Sequence, residues 1–173
     1  MTVDASISPV VLEAIATTFA LDVPKVALLV LPATAPVNGV LTELRGLGIN
    51  ARSLGLQDDD RGRNELMRST LKKFNPHLNS GSVKANEGEA DDPSLLVTTG
   101  ASIRGLDLPE LSHVFIAKAP DNEVGYSHVA GRVGRFGREG KVIMFLEGKE
   151  RQKATELYEG LKISLAEFEH VQV

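Results

Sequence analysis

The chain has 173 residues, of which 42% are hydrophobic and 24% charged, the composition of an ordinary globular domain. Its formal net charge of −4 excludes a global positive field that would attract nucleic acid, although a local basic patch stays open. Without cysteine there can be no disulfide, thiolate nucleophile or cysteine-ligated metal. No apolar run reaches the roughly 18 residues of a membrane span, and no signal-peptide pattern opens the chain. We therefore expect an intracellular protein, its compartment undetermined, without a membrane partner.

Five short apolar runs recur along the chain and are predicted to be strands. Most of them lack polar alternation, which is typical of strands buried on both faces of a parallel sheet. The five runs are Val26–Leu31, Ala51–Leu56, Leu95–Thr99, His113–Ala117 and Lys141–Leu146.

Helical patterns lie between most of these runs. Ser8 and Pro9 begin the first helix, and Pro36 opens the second, which Gly48 ends. A third stripe lies at residues 67–74, behind three aspartates at 58–60, where a helix N-terminus favours negative charge. The last helix carries Ala154, Leu157, Tyr158 and Leu161 at helical spacing.

This alternation predicts an α/β fold: a three-layer sandwich with a parallel five- to six-stranded sheet and helices on both faces. The predicted domain spans residues 9–165, between an N-terminal tail at 1–8 and a C-terminal tail at 166–173. Residues 75–93 are polar, acidic and without periodicity, so we expect a flexible insertion loop there. In such sheets ligands gather at the carboxyl ends of the strands.

The first chemically suggestive stretch, Thr98–Pro109, directly follows a predicted buried strand. Its hydroxyls and backbone N–H groups suit phosphate oxygens, and Asp107 suits ribose hydroxyls. A tight loop in which Asp107 pairs structurally with Arg104 explains the same residues equally well.

The second stretch, His128–Gly140, contains three arginines at intervals of three, each preceded by glycine. We expect Arg132 and Arg135 to share one helical face and to form a fork for a polyphosphate or a phosphoryl group. The alternative is a solvated basic turn. It is disfavoured because each glycine inside a helix costs about 1 kcal/mol, unless a ligand or another backbone comes close.

Together the two stretches resemble motifs V and VI of superfamily 2 helicases, most closely the DEAD-box RNA helicases. Motif V is matched at Thr99 and across 104–107 and Pro109; motif VI is matched at His128, Gly131, Arg132, Gly134 and Arg135. Residues 26–48 resemble the motif IV region. The resemblance covers residues 10–165 and implies a RecA-like fold, that of the helicase C-terminal domain.

The resemblance implies an ATP site shared with another domain. Arg132 and Arg135 would be arginine fingers, Gly105 and Asp107 would meet the ribose side of ATP, and His128 would couple the motif to the partner domain. ATP and Mg²⁺ would be held mainly by a first RecA-like domain, in cis or as another protein in trans. We expect no metal ligand on this chain and no tight nucleotide binding by it alone.

The resemblance also implies RNA as a partner. Thr99, Arg104 and Thr34 would contact the RNA backbone, a mode of binding that does not read sequence.

Several positions depart from the family's pattern. These residues contain neither a phosphate loop nor an acidic magnesium box, so we expect hydrolysis only when the chain is joined to a first RecA-like domain. The motif IV region has a displaced Thr34 without basic residues, and Val129 replaces an arginine of motif VI. A divergent member, for instance in an organelle, and a degenerate one fit these losses equally.

Two other functions stay open at this point. One is a non-catalytic, helicase-derived module that binds RNA or protein, which the altered motif IV and the acidic insertion favour. The other is an unrelated nucleotide-binding α/β protein, which would bind nucleotide tightly as an isolated domain.

Overall fold

The computed structural model describes residues 7–22, 24, 26–54, 94–103, 111–134, 137, 139–164 and 166. Within them four α-helices and five strands alternate along the chain. The strands are β1 (Val26–Leu31), β2 (Ala51–Ser53), β3 (Ser94–Thr99), β4 (His113–Ile116) and β5 (Lys141–Met144); the helices are α1 (Pro9–Leu21), α2 (Val37–Gly46), α3 (Glu123–Ala130) and α4 (Arg151–Leu161), the last preceded by a 3₁₀ turn at Gly148–Glu150.

The five strands form one sheet in the order β2-β3-β1-β4-β5, and every pair of neighbours is parallel. β1 lies at the centre, and all six of its residues are buried. The predicted architecture is confirmed: a parallel five-stranded sheet with helices on both faces.

The pleat of β1 divides its side chains between two cores. Ala27, Leu29 and Leu31 pack with α1 and α2 on one face of the sheet. The alternate residues of β1 pack with α3 and α4 on the other face. This is why an uninterrupted apolar run signals a strand covered on both sides.

The signals that begin α1 behave as the sequence predicts. The Ser8 hydroxyl accepts a hydrogen bond from the Val11 N–H at 3.4 Å, and Pro9 occupies the first helical position. Asn122 caps α3 in the same way, its side-chain oxygen accepting from the Gly125 N–H at 2.8 Å. These caps fix where α1 and α3 begin.

Strand ends differ from the predictions by one to three residues. β5 was expected to reach Leu146 but ends at Met144, because its one neighbour, β4, ends at Ile116, the partner of Met144 in the register. β2 ends at Ser53 instead of Leu56; residues 55 and 56 lie outside the described part of the chain.

Other predictions also fall outside the described residues. They are the helix at 67–74, the insertion at 75–93 and nearly all of both tails. In the part of the chain that the structure does describe, no helix combines the length and the hydropathy needed to cross a membrane.

Candidate functional site: two opposite edges of the sheet

Two of the predicted RNA-binding residues lie together at the carboxyl edge of the sheet. Thr34 is exposed in the turn that follows β1, and Thr99 is the last residue of β3, the neighbouring strand. The Gly100 N–H donates to the Leu31 carbonyl at 3.0 Å, which holds the loop after β3 against the end of β1. The Thr99 hydroxyl is half-buried and donates to Ser102 Oγ at 3.2 Å.

His128 and Arg132 lie at the opposite, amino edge. α3 follows β4 and runs back over the sheet, so its end lies where β5 begins, at Lys141. His128 is exposed in the last turn of α3. Arg132 is half-buried just beyond the helix, and its Nε donates to the His128 carbonyl at 3.0 Å. These two candidate residues therefore do not lie at the carboxyl edge, where ligands are expected to gather in such sheets.

The expectation that Arg132 and Arg135 share one helical face is wrong for the backbone that joins them. α3 ends at Ala130, and Gly134 adopts a φ of 70°, in the left-handed region, which cannot continue a right-handed helix. We call residues 131–134 the arginine turn. Arg135 itself lies outside the described residues, as do Arg104, Gly105 and Asp107, so their roles stay predictions.

Close approach of the arginine turn to the segment before β5 explains Gly140, the last glycine of the second stretch. A Cβ added to Gly140, the residue before β5, would stand 2.6 Å from the Gly134 nitrogen and 2.6 Å from Val133 Cβ. The segment that enters β5 therefore packs tightly against the arginine turn. The sequence reasoning named such an approach as one of two ways to explain a glycine-rich turn.

Val129, which stands where motif VI carries an arginine, is 5% exposed and belongs to the core between the sheet and the helices α3 and α4. An arginine there would bury an unpaired charge in this core. In this domain the side chain at this position contributes to the core. Tyr126, on the same helix, is also buried and packs edge-on against Tyr158.

Sequence reasoning missed a polar cluster at the amino edge. Asp22, the C-cap of α1, lies 3.0 Å from His113 Nε2 and 2.5 Å from Lys141 Nζ through one carboxylate oxygen, Oδ2. The hydrogen bond from Lys141, and then that from His113, lower the pKa of Asp22 below its usual value. Asp22 and Lys141 are 119 residues apart, so only the fold brings them together.

A cavity of about 420 Å³ lies between α3 and α4, away from the predicted site residues. Its rim carries the carboxylates of Asp121, Glu123 and Glu156 and one cation, Lys153, whose Nζ donates to Asp121 Oδ1 at 2.7 Å. Carboxylates repel phosphate, so this cavity does not suit a nucleotide. Among the described residues, no group of three acidic or histidine side chains could hold a metal ion.

Comparison with known proteins shows what the chain is similar to. Residues 68–137 match the family model described as the helicase conserved C-terminal domain. The ATP-dependent RNA helicase DeaD of Buchnera aphidicola is 34% identical over 84 residues, which are 49% of this chain and 14% of that relative. The chain is similar to the C-terminal RecA-like domain of DEAD-box helicases. It spans about one seventh of that relative's length.

Solved structures show the same fold. The DEAD-box protein SrmB of E. coli, bound to regulator of ribonuclease activity A, superposes with a TM-score of 0.66 at 20% identity; the match covers 92% of this chain and 83% of that one. Domain 2 of the DEAD-box helicase Mss116p, bound to an RNA duplex, superposes with a TM-score of 0.65 at 20% identity, over 93% and 59% of the two chains. At such identity the likeness shows the RecA-like fold.

Proposed function

We propose that this domain is the second RecA-like half of an ATP-dependent RNA helicase. It closes over ATP and RNA together with a first RecA-like domain, supplied in cis or by another protein in trans. The proposal includes the boundaries expected from the sequence: a domain at 9–165, an insertion at 75–93 and two tails. DEAD-box helicases in general use ATP with Mg²⁺, which supports this assignment.

One observation carries the proposal: the candidate residues are divided between opposite edges of one sheet. Thr34 and Thr99 lie at the carboxyl edge, and His128 and Arg132 at the amino edge. A single small-molecule site would gather them in one place. A domain that binds a polymer on one side and completes a phosphate site on the other requires this separation.

At the amino edge the chain contributes cations. The Nε–H of Arg132 is held by the His128 carbonyl, which orients the guanidinium plane. We propose that Arg132, with Arg135, completes the charge around the phosphates of ATP, that Gly105 and Asp107 meet its ribose, and that His128 contacts the partner domain. When bound, ATP and Mg²⁺ supply the phosphoryl group and the metal that neutralises its charge; no described residues of this chain form a metal site.

At the carboxyl edge the proposed contacts are hydroxyls. Thr34 is exposed and can donate to phosphate oxygens or 2′-hydroxyls. The Thr99 hydroxyl, whose proton goes to Ser102, can accept from a 2′-hydroxyl or exchange that bond for one to RNA, and Arg104 adds a cation. Such contacts bind the RNA backbone without reading bases. The RNA duplex bound to domain 2 of Mss116p supports RNA as the ligand.

The test is hydrolysis in trans. We would mix the chain with a purified first RecA-like domain of a DEAD-box helicase and single-stranded RNA, and measure phosphate release. An arginine finger contributes about 10³-fold or more to the rate, so Arg132→Ala and Arg135→Ala should each abolish the stimulation.

The control is Arg151→Ala. Arg151 is an exposed arginine at the start of α4, at the carboxyl edge of the sheet, whereas the arginine turn lies at the amino edge. This variant should leave stimulation at saturating RNA unchanged. If all three variants lose stimulation equally, or if stimulation survives Arg132→Ala, the arginine-finger role is contradicted.

A second candidate is a non-catalytic module that binds RNA or protein. It is favoured by Val129, which fills the core at a position where the family carries an arginine. The complex of SrmB with regulator of ribonuclease activity A supports a protein partner for a domain of this fold. This alternative predicts RNA or protein binding by the chain, and no stimulated hydrolysis in the mixture.

A further inference from the structure

The polar cluster at the amino edge joins three elements that are distant in sequence. Asp22 is the C-cap of α1, His113 begins β4 and Lys141 begins β5. The side chains of His113 and Lys141 contact the same oxygen of the Asp22 carboxylate. Because Asp22 is ionised at neutral pH, His113 Nε2 must carry a hydrogen and donate it. The carboxylate thus accepts from both β4 and β5.

The fold holds the His113 side chain in one orientation. It is 7% exposed, its ring packs edge-on against Phe115, and its Nδ1 lies 2.8 Å from Ser112 Oγ. Both ring nitrogens therefore have partners, and rotation of the ring would break two hydrogen bonds inside the fold. The hydrogen bond from His113 holds the Asp22 carboxylate in place, so the Lys141 ammonium group donates to an acceptor that is already positioned.

β5 needs such an anchor because it is an edge strand. Among the strands that the structure describes it pairs with β4 alone, and its residues are exposed or half-buried. At its first residue the backbone N–H of Lys141 donates to the Ser112 carbonyl at 2.9 Å, while the side chain reaches Asp22. Two bonds, one from the backbone and one from the side chain, therefore fix where β5 starts.

The start of β5 is packed directly against the arginine turn. Gly140 precedes Lys141 and lies so close to Gly134 and Val133 that a Cβ would meet both at 2.6 Å. There is no free space between them. A shift of residues 140 and 141 must therefore move residues 133 and 134, next to Arg132.

We propose that Asp22, acting through Lys141 and Gly140, is a positioning residue for the arginine turn and hence for Arg132. Its importance for ATP rests on the proposed function, whereas its effect on the turn is a property of this domain alone. Asp22 lies outside the helicase motifs in the sequence and does not touch the arginine.

The test is hydrogen exchange by NMR on the isolated chain without nucleotide. The amides of Arg132 and Val133 donate to the carbonyls of Val129 and Ala130, each at 3.2 Å, and the Arg132 Nε–H reports the bond to His128. Asp22→Asn should raise exchange at both amides about fivefold or more and shift the Nε–H resonance, while amides of β1 change little.

Asp121→Asn is the matched control. Asp121 is also paired with a lysine, Lys153 at 2.7 Å, and its pKa is also lowered, first by the hydrogen bond from Lys153. It precedes α3, at the opposite end of that helix from the arginine turn, so exchange in the arginine turn should not change. Equal acceleration in both variants, or none in Asp22→Asn, overturns the proposal.

Two further variants keep the test decisive if Asp22→Asn does not fold. Lys141→Met leaves Asp22 paired with His113 and should accelerate exchange in the turn; Lys141→Arg, which restores a cation, should return it toward the wild-type rate. If hydrogen exchange in the arginine turn is unchanged in Lys141→Met, the proposal is overturned. Accelerated exchange together with no stimulated hydrolysis by the wild-type chain supports the positioning role and refutes the proposed function.

Discussion

Two adjacent threonines at the end of β3 allow a sharp test of how side-chain burial determines stability here. Thr98 is 2% exposed on the α3–α4 face, and its hydroxyl has no hydrogen-bond partner among the residues described. Thr99 is half-buried on the other face, and its hydroxyl donates to Ser102. We predict opposite effects when each is replaced by valine.

The magnitudes follow from the two environments. A buried hydroxyl without a partner costs about 1–3 kcal/mol of desolvation free energy, and valine has nearly the same shape, so Thr98→Val should raise the free energy of unfolding by about 1 kcal/mol. That corresponds to a Tm increase of about 2–4 °C for a domain of this size. Thr99→Val loses a hydrogen bond and should lower the free energy of unfolding by about 0.5–1 kcal/mol.

Urea unfolding monitored by circular dichroism measures both changes. The m-value should stay constant, because neither substitution changes the surface exposed on unfolding. If Thr98→Val is neutral or destabilising, the hydroxyl has a partner that stabilises it, and the account of this strand end is refuted. If both variants move in the same direction, burial does not distinguish the two positions.

Two more predictions concern surface positions. Lys162 caps α4 with a φ of 55°, a left-handed conformation that disfavours a side chain. Lys162→Gly should therefore raise the free energy of unfolding by about 0.5–1 kcal/mol in the same urea assay. A lower free energy of unfolding would contradict this. The pKa of Asp22 is lowered by Lys141 and His113, so its stabilising effect is complete above the ordinary value of 3.8 and is lost as pH falls through the lower, folded-state pKa. The Tm difference between wild type and Asp22→Asn should therefore narrow between pH 7 and pH 3. A constant Tm difference would show that the Asp22 carboxylate does not stabilise the fold through Lys141 and His113.

The fold could be predicted because its signals are local. β1 is an unbroken apolar run, and Ser8 with Pro9 fixes the start of α1 by capping and by the geometry of proline. The end of β5 could not be predicted, because it depends on where β4 stops and not on the residues of β5 themselves. Edge strands are limited by their neighbours.

For the candidate site the sequence offers residue types but not their geometry. The spacing of glycine and arginine predicts a phosphate-directed segment at residues 128–135, which stays a prediction, and it does not reveal that Gly134 turns left-handed against Gly140. The anchor at Asp22 was invisible to any local pattern, since its partners lie 91 and 119 residues further along the chain. Contacts of this kind exist only after the sheet has formed.

The length of the central strand separates the two candidate surfaces. β1 is six buried residues long, about 20 Å, and its two ends face different candidate surfaces: Leu31 receives the loop after β3, and Val26 accepts from Ser112 beside the amino-edge cluster. Under the proposed function, a whole strand length of rigid sheet separates spent nucleotide from the bound polymer. The two proposed sets of contacts would therefore be kept apart on this domain by the length of one strand.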